Sequence, residues 1–372
     1  MGRSAVIYGV GRSAAIVLEK TREQFGEEFA VEAMLSEKAG EAGEFEGLPV
    51  IGFAELAERD KAGNPCAVIL PSAAKRMPEL LKKLRDSENV QVYLVPAGEI
   101  RREKNEKEQF FVPVDPKKPW LMGFEFHVAD HCNLNCKGCG HCANILERSF
   151  PDLERYQRDL RRLQQLYAGV GLIRLMGGEP FLNQELKSYI AATRNCFPVS
   201  EIHIVTNGLL LPRVGEELLE AMTEYQVILD ISQYPPTVEA WDKIGQVLHA
   251  YGIEANISPV TEFYKRFTLG GGSEKEAVFR ECSTRTCHSL RDGKIAACIV
   301  PFSTEVLNRV YHMGIPVDGW IDLYEEGIDG EEINRRLDCP LELCGHCKME
   351  KEFFPWEVCF MGQARLQDWV CR

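Results

Sequence analysis

Three cysteines, Cys132, Cys136 and Cys139, stand in the run Cys-Asn-Leu-Asn-Cys-Lys-Gly-Cys, directly after an extended apolar stretch from Gly123 to Val128. That spacing demands a short loop at the end of a strand. Thiolates this close together cannot pair sensibly as disulfides, but they can converge on one metal centre. Soft sulfur ligands select zinc or iron–sulfur clusters. A structural zinc site wants four closed ligands, and Cys142 offers a fourth. A cluster held by three cysteines would instead leave one iron open for a further ligand.

The other cysteines point the same way. Of fourteen, only Cys66 precedes Cys132. This is clustering for metal in a reducing compartment, not a disulfide framework. A net charge of −13 argues against nucleic-acid or anionic-membrane surfaces as partners. No apolar run approaches the length of a membrane span, and the start lacks a signal peptide's apolar segment, so a cytoplasmic location is expected. The 372 residues suffice for two or three domains.

Four regions are expected: 1–98, a linker at 99–119, 120–272, and 273–372. In the first, Ser4–Tyr8 reads as a buried strand, followed by Gly9-Val-Gly11-Arg-Ser-Ala14 and a helical pattern. Glycines in that context let a backbone approach phosphate, and a helix N-terminus favours negative charge. Strands and helices then alternate to Val95, as a small parallel α/β domain requires. Its start, with Gly47-Leu-Pro-Val-Ile-Gly52, resembles the Rossmann-like domain of sugar O-acyltransferases and nucleoside-diphosphate-sugar epimerases. A nucleotide site and a purely structural role both stay open. The charge run Glu99–Gln109, followed by Pro113, Pro116 and Pro119, reads as a solvated connector.

In the third region, strands are expected at 123–128, 172–176, 201–205, 227–232 and 253–258, with helices between. Leu153, Leu160, Leu163 and Leu166 mark one apolar stripe; Val238, Trp241, Ile244 and Leu248 mark another, with Thr237 as N-cap and Gly252 as stop. Strands buried on both faces should be almost continuously apolar. These alternate instead. Glu125 and His127, Arg174, His203, Asp230 and Ser232, and Asn256 fall on one face of their strands. That polar face suits a small polar substrate. Glu125, His127, Arg174, His203 and Asp230 are the substrate-side candidates, Glu125 and His127 the catalytic ones among them, and an acid–base role calls for a shifted pKa.

The cysteine spacing, together with Gly177-Gly178-Glu179-Pro180 and Thr206-Asn207-Gly208, resembles the radical S-adenosylmethionine (SAM) superfamily. Gly138 departs from the aromatic residue that many members carry there. The resemblance implies a partial (β/α)6 barrel within an α/β chain, and a 4Fe–4S cluster on Cys132, Cys136 and Cys139 that SAM chelates. It also implies SAM contacts from Gly177, Gly178, Glu179 and Pro180. Asn207 and Ser232, at strand C-terminal ends, are added as SAM ligands. Beyond residue 273, Gly293-x4-Cys298 and Cys344-x2-Cys347 resemble the twitch or SPASM extension, a small C-terminal Fe–S domain. One auxiliary 4Fe–4S cluster is implied, on Cys287, Cys298, Cys344 and Cys347, with Cys282 and Cys339 as alternatives.

The expected activity is radical oxidation or epimerisation of a carbohydrate or nucleotide-linked sugar, with a reducing partner such as flavodoxin or ferredoxin. An epimerase needs a thiol to return a hydrogen atom, and Cys142 is the candidate. A maturase of a ribosomal peptide and a non-enzymatic zinc scaffold are the alternatives.

Overall fold

The computed structural model describes residues 2–38, 43–71, 76–360 and 362–371. The chain forms two compact units: Met1–Met122 with Gln164–Gly171 and Phe197–Ser200, and Gly123–Leu163 with Leu172–Cys196 and Glu201–Arg372.

Among the described residues, the first unit is built on seven strands: β1 (Arg3–Tyr8), β2 (Phe29–Leu35), β3 (Glu44–Phe45), β4 (Leu48–Ile51), β5 (Cys66–Pro71), β6 (Val90–Val95) and β7 (Val112–Val114). They lie in the order β3-β4-β2-β1-β5-β6-β7. The five inner strands are parallel and the two edges antiparallel. Helix Arg12–Phe25 begins straight after Gly11, as the glycine-rich turn predicts. The expected connector at 99–119 is different. It makes two short helices, Ala97–Arg101 and Lys107–Phe110, and then β7, which pairs with β6. The physical reason is the Phe110-Phe111 pair that ends the charge run. Both rings are buried and pack on Phe25, at 5.2 and 5.0 Å between centroids.

Among the described residues, the second unit holds an eight-stranded sheet. Its strands are β8 (Trp120–Ala129), β9 (Gly169–Gly177), β10 (Glu201–Thr206), β11 (Val227–Gln233) and β12 (Ala255–Pro259), with β14 (Ser289–Arg291), β15 (Lys294–Ala296) and β16 (Ile321–Asp322). The order is β12-β11-β10-β9-β8-β14-β15-β16. A separate ribbon pairs β13 (Glu262–Phe267) with β17 (Cys347–Pro355). The cysteine-rich segment is therefore not detached at residue 273: β14 joins β8 in parallel on its open edge. The leucine stripe forms helix Leu153–Leu166. The second stripe is split into helices Pro235–Glu239 and Trp241–Tyr251. Thr237 is no N-cap. It lies within the first of these, and its hydroxyl donates to the Asn207 carbonyl at 2.7 Å. Gly252 does end the second helix, at φ +61°. No helix among the described residues is long and apolar enough to cross a membrane.

Candidate cluster and cofactor site

The loop that follows β8 carries Cys132, Cys136 and Cys139 to one cavity of about 160 Å3. The same cavity is lined by Gly177 and Gly178 at the end of β9, Thr206 and Asn207 at the end of β10, and Ser232 and Tyr234 at the end of β11. Three sequence motifs far apart in the chain thus share one wall, at the carboxyl ends of adjacent strands. Here glycine is obligatory: a Cβ on Gly178 would stand 1.9 Å from the His131 carbonyl oxygen, and one on Gly177 2.3 Å from that of Ala129. Burial pushes the Cys132 and Cys136 thiols up to about 12, so holding them as thiolates calls for the positive charge of a metal centre. The donor set, the cavity and the bare backbone at Gly177-Gly178 fit a sulfur-ligated cluster with a small polar ligand beside it.

Gly138 sits at φ +63°, and a Cβ there would come within 2.7 Å of both the Asp368 carbonyl oxygen and the Phe354 ring. Phe354 belongs to β17, so an aromatic side chain does pack at this point of the loop, delivered from elsewhere in the chain.

Glu179 and Pro180 do not line the cavity. The Glu179 side chain turns inward, fully buried, and accepts from the Thr206 hydroxyl (2.7 Å), the Asn207 N–H (3.0 Å) and the Phe181 N–H (3.2 Å). Burial pushes its carboxyl up to about 7 against those three donors. It ties the end of β9 to the end of β10.

Residues on the same face as the lining groups, one pleat back, form the expected polar surface. Arg174 precedes Met176, His203 precedes Val205, and Asp230 precedes Ser232, each by two positions, and the later residue of each pair lines the cavity. His203 Nδ1 and Asp230 are 2.8 Å apart, Asn256 donates to Asp230 at 2.8 Å, and Arg174 lies 3.4 Å from Glu125 and 3.7 Å from Asp230. Burial alone would lower the His203 pKa, but the Asp230 hydrogen bond and Glu201 outweigh it and hold the imidazolium up to about 9. A folded-state value above the ordinary 6.5 contributes stability that is complete below that pH and lost as pH rises through about 9. Melting temperatures recorded from about pH 6 to about pH 10 should therefore fall in the wild type and flatten in His203→Asn; parallel curves would refute the ion pair.

His127 is placed differently from expectation. Its Nε2 lies 2.9 Å from Nδ1 of His141, which lines the cavity, while its other edge faces Asp130. Asp130 in turn takes a two-pronged hydrogen bond from Arg291, at 2.9 and 2.8 Å. Burial lowers the pKa of both histidines, that of His141 to about 3, so the pair is neutral. His127 is thus a buried support for His141.

Cys142 is corrected too. It is fully buried among Leu146, Phe267 and Phe302, with its sulfur 3.9 Å from the Ser303 carbonyl. It does not reach the cavity, whose lining comes from its neighbours His141 and Ala143. A left-handed backbone at Cys142, φ +57°, turns this side chain inward.

A second cavity of about 100 Å3 is lined by Cys282, Cys298, Cys344 and Cys347. Cys287 is not among them. It lies beside Glu125 and Arg174, at the polar face of the main sheet, and burial with the Glu125 charge pushes its thiol up to about 11. Cys339 is also apart, its sulfur 3.2 Å from the Arg335 carbonyl. The structure therefore replaces Cys287 by Cys282 in the second thiol group.

Residues 127–266 match the radical SAM superfamily model. That stretch of the chain is similar to the radical SAM superfamily. The match supports a 4Fe–4S cluster and SAM as the cofactors of this site. A GTP 3′,8-cyclase of Heliobacterium modesticaldum is 29% identical over 135 residues, 35% of this chain and 41% of that protein. The GTP 3′,8-cyclase of Staphylococcus carnosus is 36% identical over 111 residues, 27% of this chain and 31% of that one. The chain thus spans less than half the length of these curated relatives. Among solved structures, BtrN in complex with AdoMet and 2-DOIA aligns with a TM-score of 0.42 at 18% identity, covering 62% of this chain and 94% of that one.

Sequence reasoning missed His141 and Tyr234 as cavity residues. His141 had a signal, being two positions beyond Cys139; Tyr234 had a weaker one, two positions beyond Ser232.

Proposed function

We propose that the protein is a radical SAM enzyme acting on a small polar substrate held against Glu125, Arg174, His203 and Asp230. One observation carries this reading: the three loop cysteines, Gly177-Gly178, Asn207 and Ser232 share one cavity, and Arg174, His203 and Asp230 stand two positions before its lining residues Met176, Val205 and Ser232 on the same strands. When bound and reduced, the cluster with SAM supplies a 5′-deoxyadenosyl radical for hydrogen abstraction. Cys132, Cys136 and Cys139 hold the cluster. The Gly177-Gly178 backbone, Asn207 and Ser232 bind the polar groups of SAM. Arg174 and Glu125 offer a donor and an acceptor to substrate hydroxyls, and Asp230 is held ionised by His203 and Arg174.

Cys282, Cys298, Cys344 and Cys347 are proposed to hold an auxiliary 4Fe–4S cluster, able to take an electron from a substrate radical. The substrate class remains a carbohydrate or nucleotide-linked sugar, oxidised or epimerised. The relatives named for a reaction of GTP also suit a nucleotide-bearing substrate. For epimerisation, the thiol that returns hydrogen is Cys287, which stands at the polar face where Cys142 does not. A one-electron donor such as flavodoxin or ferredoxin is the partner required.

The test is anaerobic incubation of the purified protein with dithionite and SAM, with 5′-deoxyadenosine quantified. Release of 5′-deoxyadenosine that is lost in Cys136→Ala is expected. Bound zinc with no SAM cleavage would overturn the reading and leave the metal scaffold in its place.

A further inference from the structure

The C-terminal segment reaches back to the cysteine loop and grips it. The Lys137 N–H donates to the Glu357 carbonyl at 2.9 Å, and the Cys359 N–H to the Asn135 carbonyl at 2.7 Å. Cys136 and Val358 form an antiparallel bridge. The Trp369 indole N–H donates to the Cys139 carbonyl at 2.7 Å. Within this clasp, Trp356 stands immediately after β17, its own N–H held by the Thr261 carbonyl at 2.9 Å. Its indole N–H points at the Cys136 sulfur, 3.1 Å away. The ring leans on Tyr234, 5.5 Å between centroids, and Tyr234 lines the cluster cavity.

We propose that Trp356 is a positioning residue that raises the reduction potential of the SAM-binding cluster by donating a hydrogen bond to the Cys136 thiolate. An indole N–H can only donate, so this bond has one possible direction. Negative charge on the cluster and its thiolates grows when the cluster takes up an electron. A fixed donor aimed at a ligand sulfur therefore stabilises the reduced state more than the oxidised state. Hydrogen bonds to the sulfurs are among the factors that set cluster potentials. The geometry is built rather than incidental: the backbone on both sides of Trp356 is hydrogen-bonded, to Thr261 on one side and to the cysteine loop on the other. A purely packing role would need the ring but not its N–H.

The inference rests on Cys136 being a cluster ligand, and the experiment separates the two claims. Anaerobic, cluster-loaded full-length protein is titrated potentiometrically, following the EPR signal that added SAM perturbs. In Trp356→Phe, the midpoint should move to more negative potential by on the order of tenfold in the reduction equilibrium, ~59 mV for one electron. Iron and sulfide content should be unchanged. Resonance Raman should show the iron–thiolate stretch altered. An unchanged midpoint with full iron content would overturn the role of Trp356. A wild-type protein with no SAM-sensitive EPR signal would overturn the ligand assignment itself. If Trp356→Phe loads poorly, benzothienylalanine at position 356 keeps the bicyclic ring and removes only the N–H. The same negative shift is then expected, and no shift again overturns the role.

Discussion

Cys282→Ala should lower the iron content of anaerobically prepared protein from about eight to about four per chain, while Cys287→Ala leaves it at about eight. The two residues are five apart in sequence, and spacing to Gly293 does not choose between them. The fold does. Helix Lys275–Glu281 ends at Cys282, which turns with Cys298, Cys344 and Cys347 onto one cavity. The chain then runs on into β14, alongside β8, so Cys287 arrives next to Glu125. A cluster on the first group would lose a quarter of its thiolates in Cys282→Ala and none in Cys287→Ala. Cys339→Ala should also keep all its iron. Iron, acid-labile sulfide and Mössbauer spectra of the three variants would decide. Full iron in Cys282→Ala with half in Cys287→Ala would reverse the assignment. The Cys287 variant then bears on chemistry alone: its SAM cleavage should persist, with product formation affected only where hydrogen is returned to substrate.

What could be read from the sequence divides along physical lines. The strands of the second unit were legible because a period of two survives wherever one face is polar, as in Phe124-Glu125-Phe126-His127-Val128. The cysteine loop and the paired glycines were legible because close backbone approach admits few residue types. What failed depended on long-range placement. The direction of the Cys142 side chain is set by a left-handed backbone angle. The Trp356 contact with Cys136 spans 220 positions and follows no local pattern. The charged run before Phe110 looked solvated because the burial of two aromatic rings at its end outweighs the polarity of what precedes them. The inward turn of Glu179 was hidden for a different reason. A carboxylate beside a pair of glycines looks like a ligand for an amino group, and only its three donors reveal its other task.

That task yields the second large effect expected. Glu179→Ala should lower the melting temperature of the cluster-loaded protein by several degrees and weaken SAM binding by about tenfold or more. The carboxylate is fully buried, and removing it strands the Thr206 hydroxyl and the N–H groups of Asn207 and Phe181. A buried donor left without an acceptor costs about 1–3 kcal/mol, so three together exceed what a surface contact could. The loss passes to the cofactor through Asn207. Its side chain lines the cavity and donates to Asn133 at 2.8 Å in the cysteine loop, while its backbone is fixed by Glu179. Glu179→Gln keeps one acceptor oxygen but turns an amide N–H2 toward another donor, so it should fall between Ala and wild type in both measurements. The contrast with a direct ligand is sharp. A carboxylate that only met SAM would, on replacement by Ala, weaken SAM binding and leave the melting temperature of the SAM-free protein unchanged. Paired thermal melts and equilibrium SAM titrations on the same preparations distinguish the two, and an unshifted melt would return Glu179 to the cavity wall.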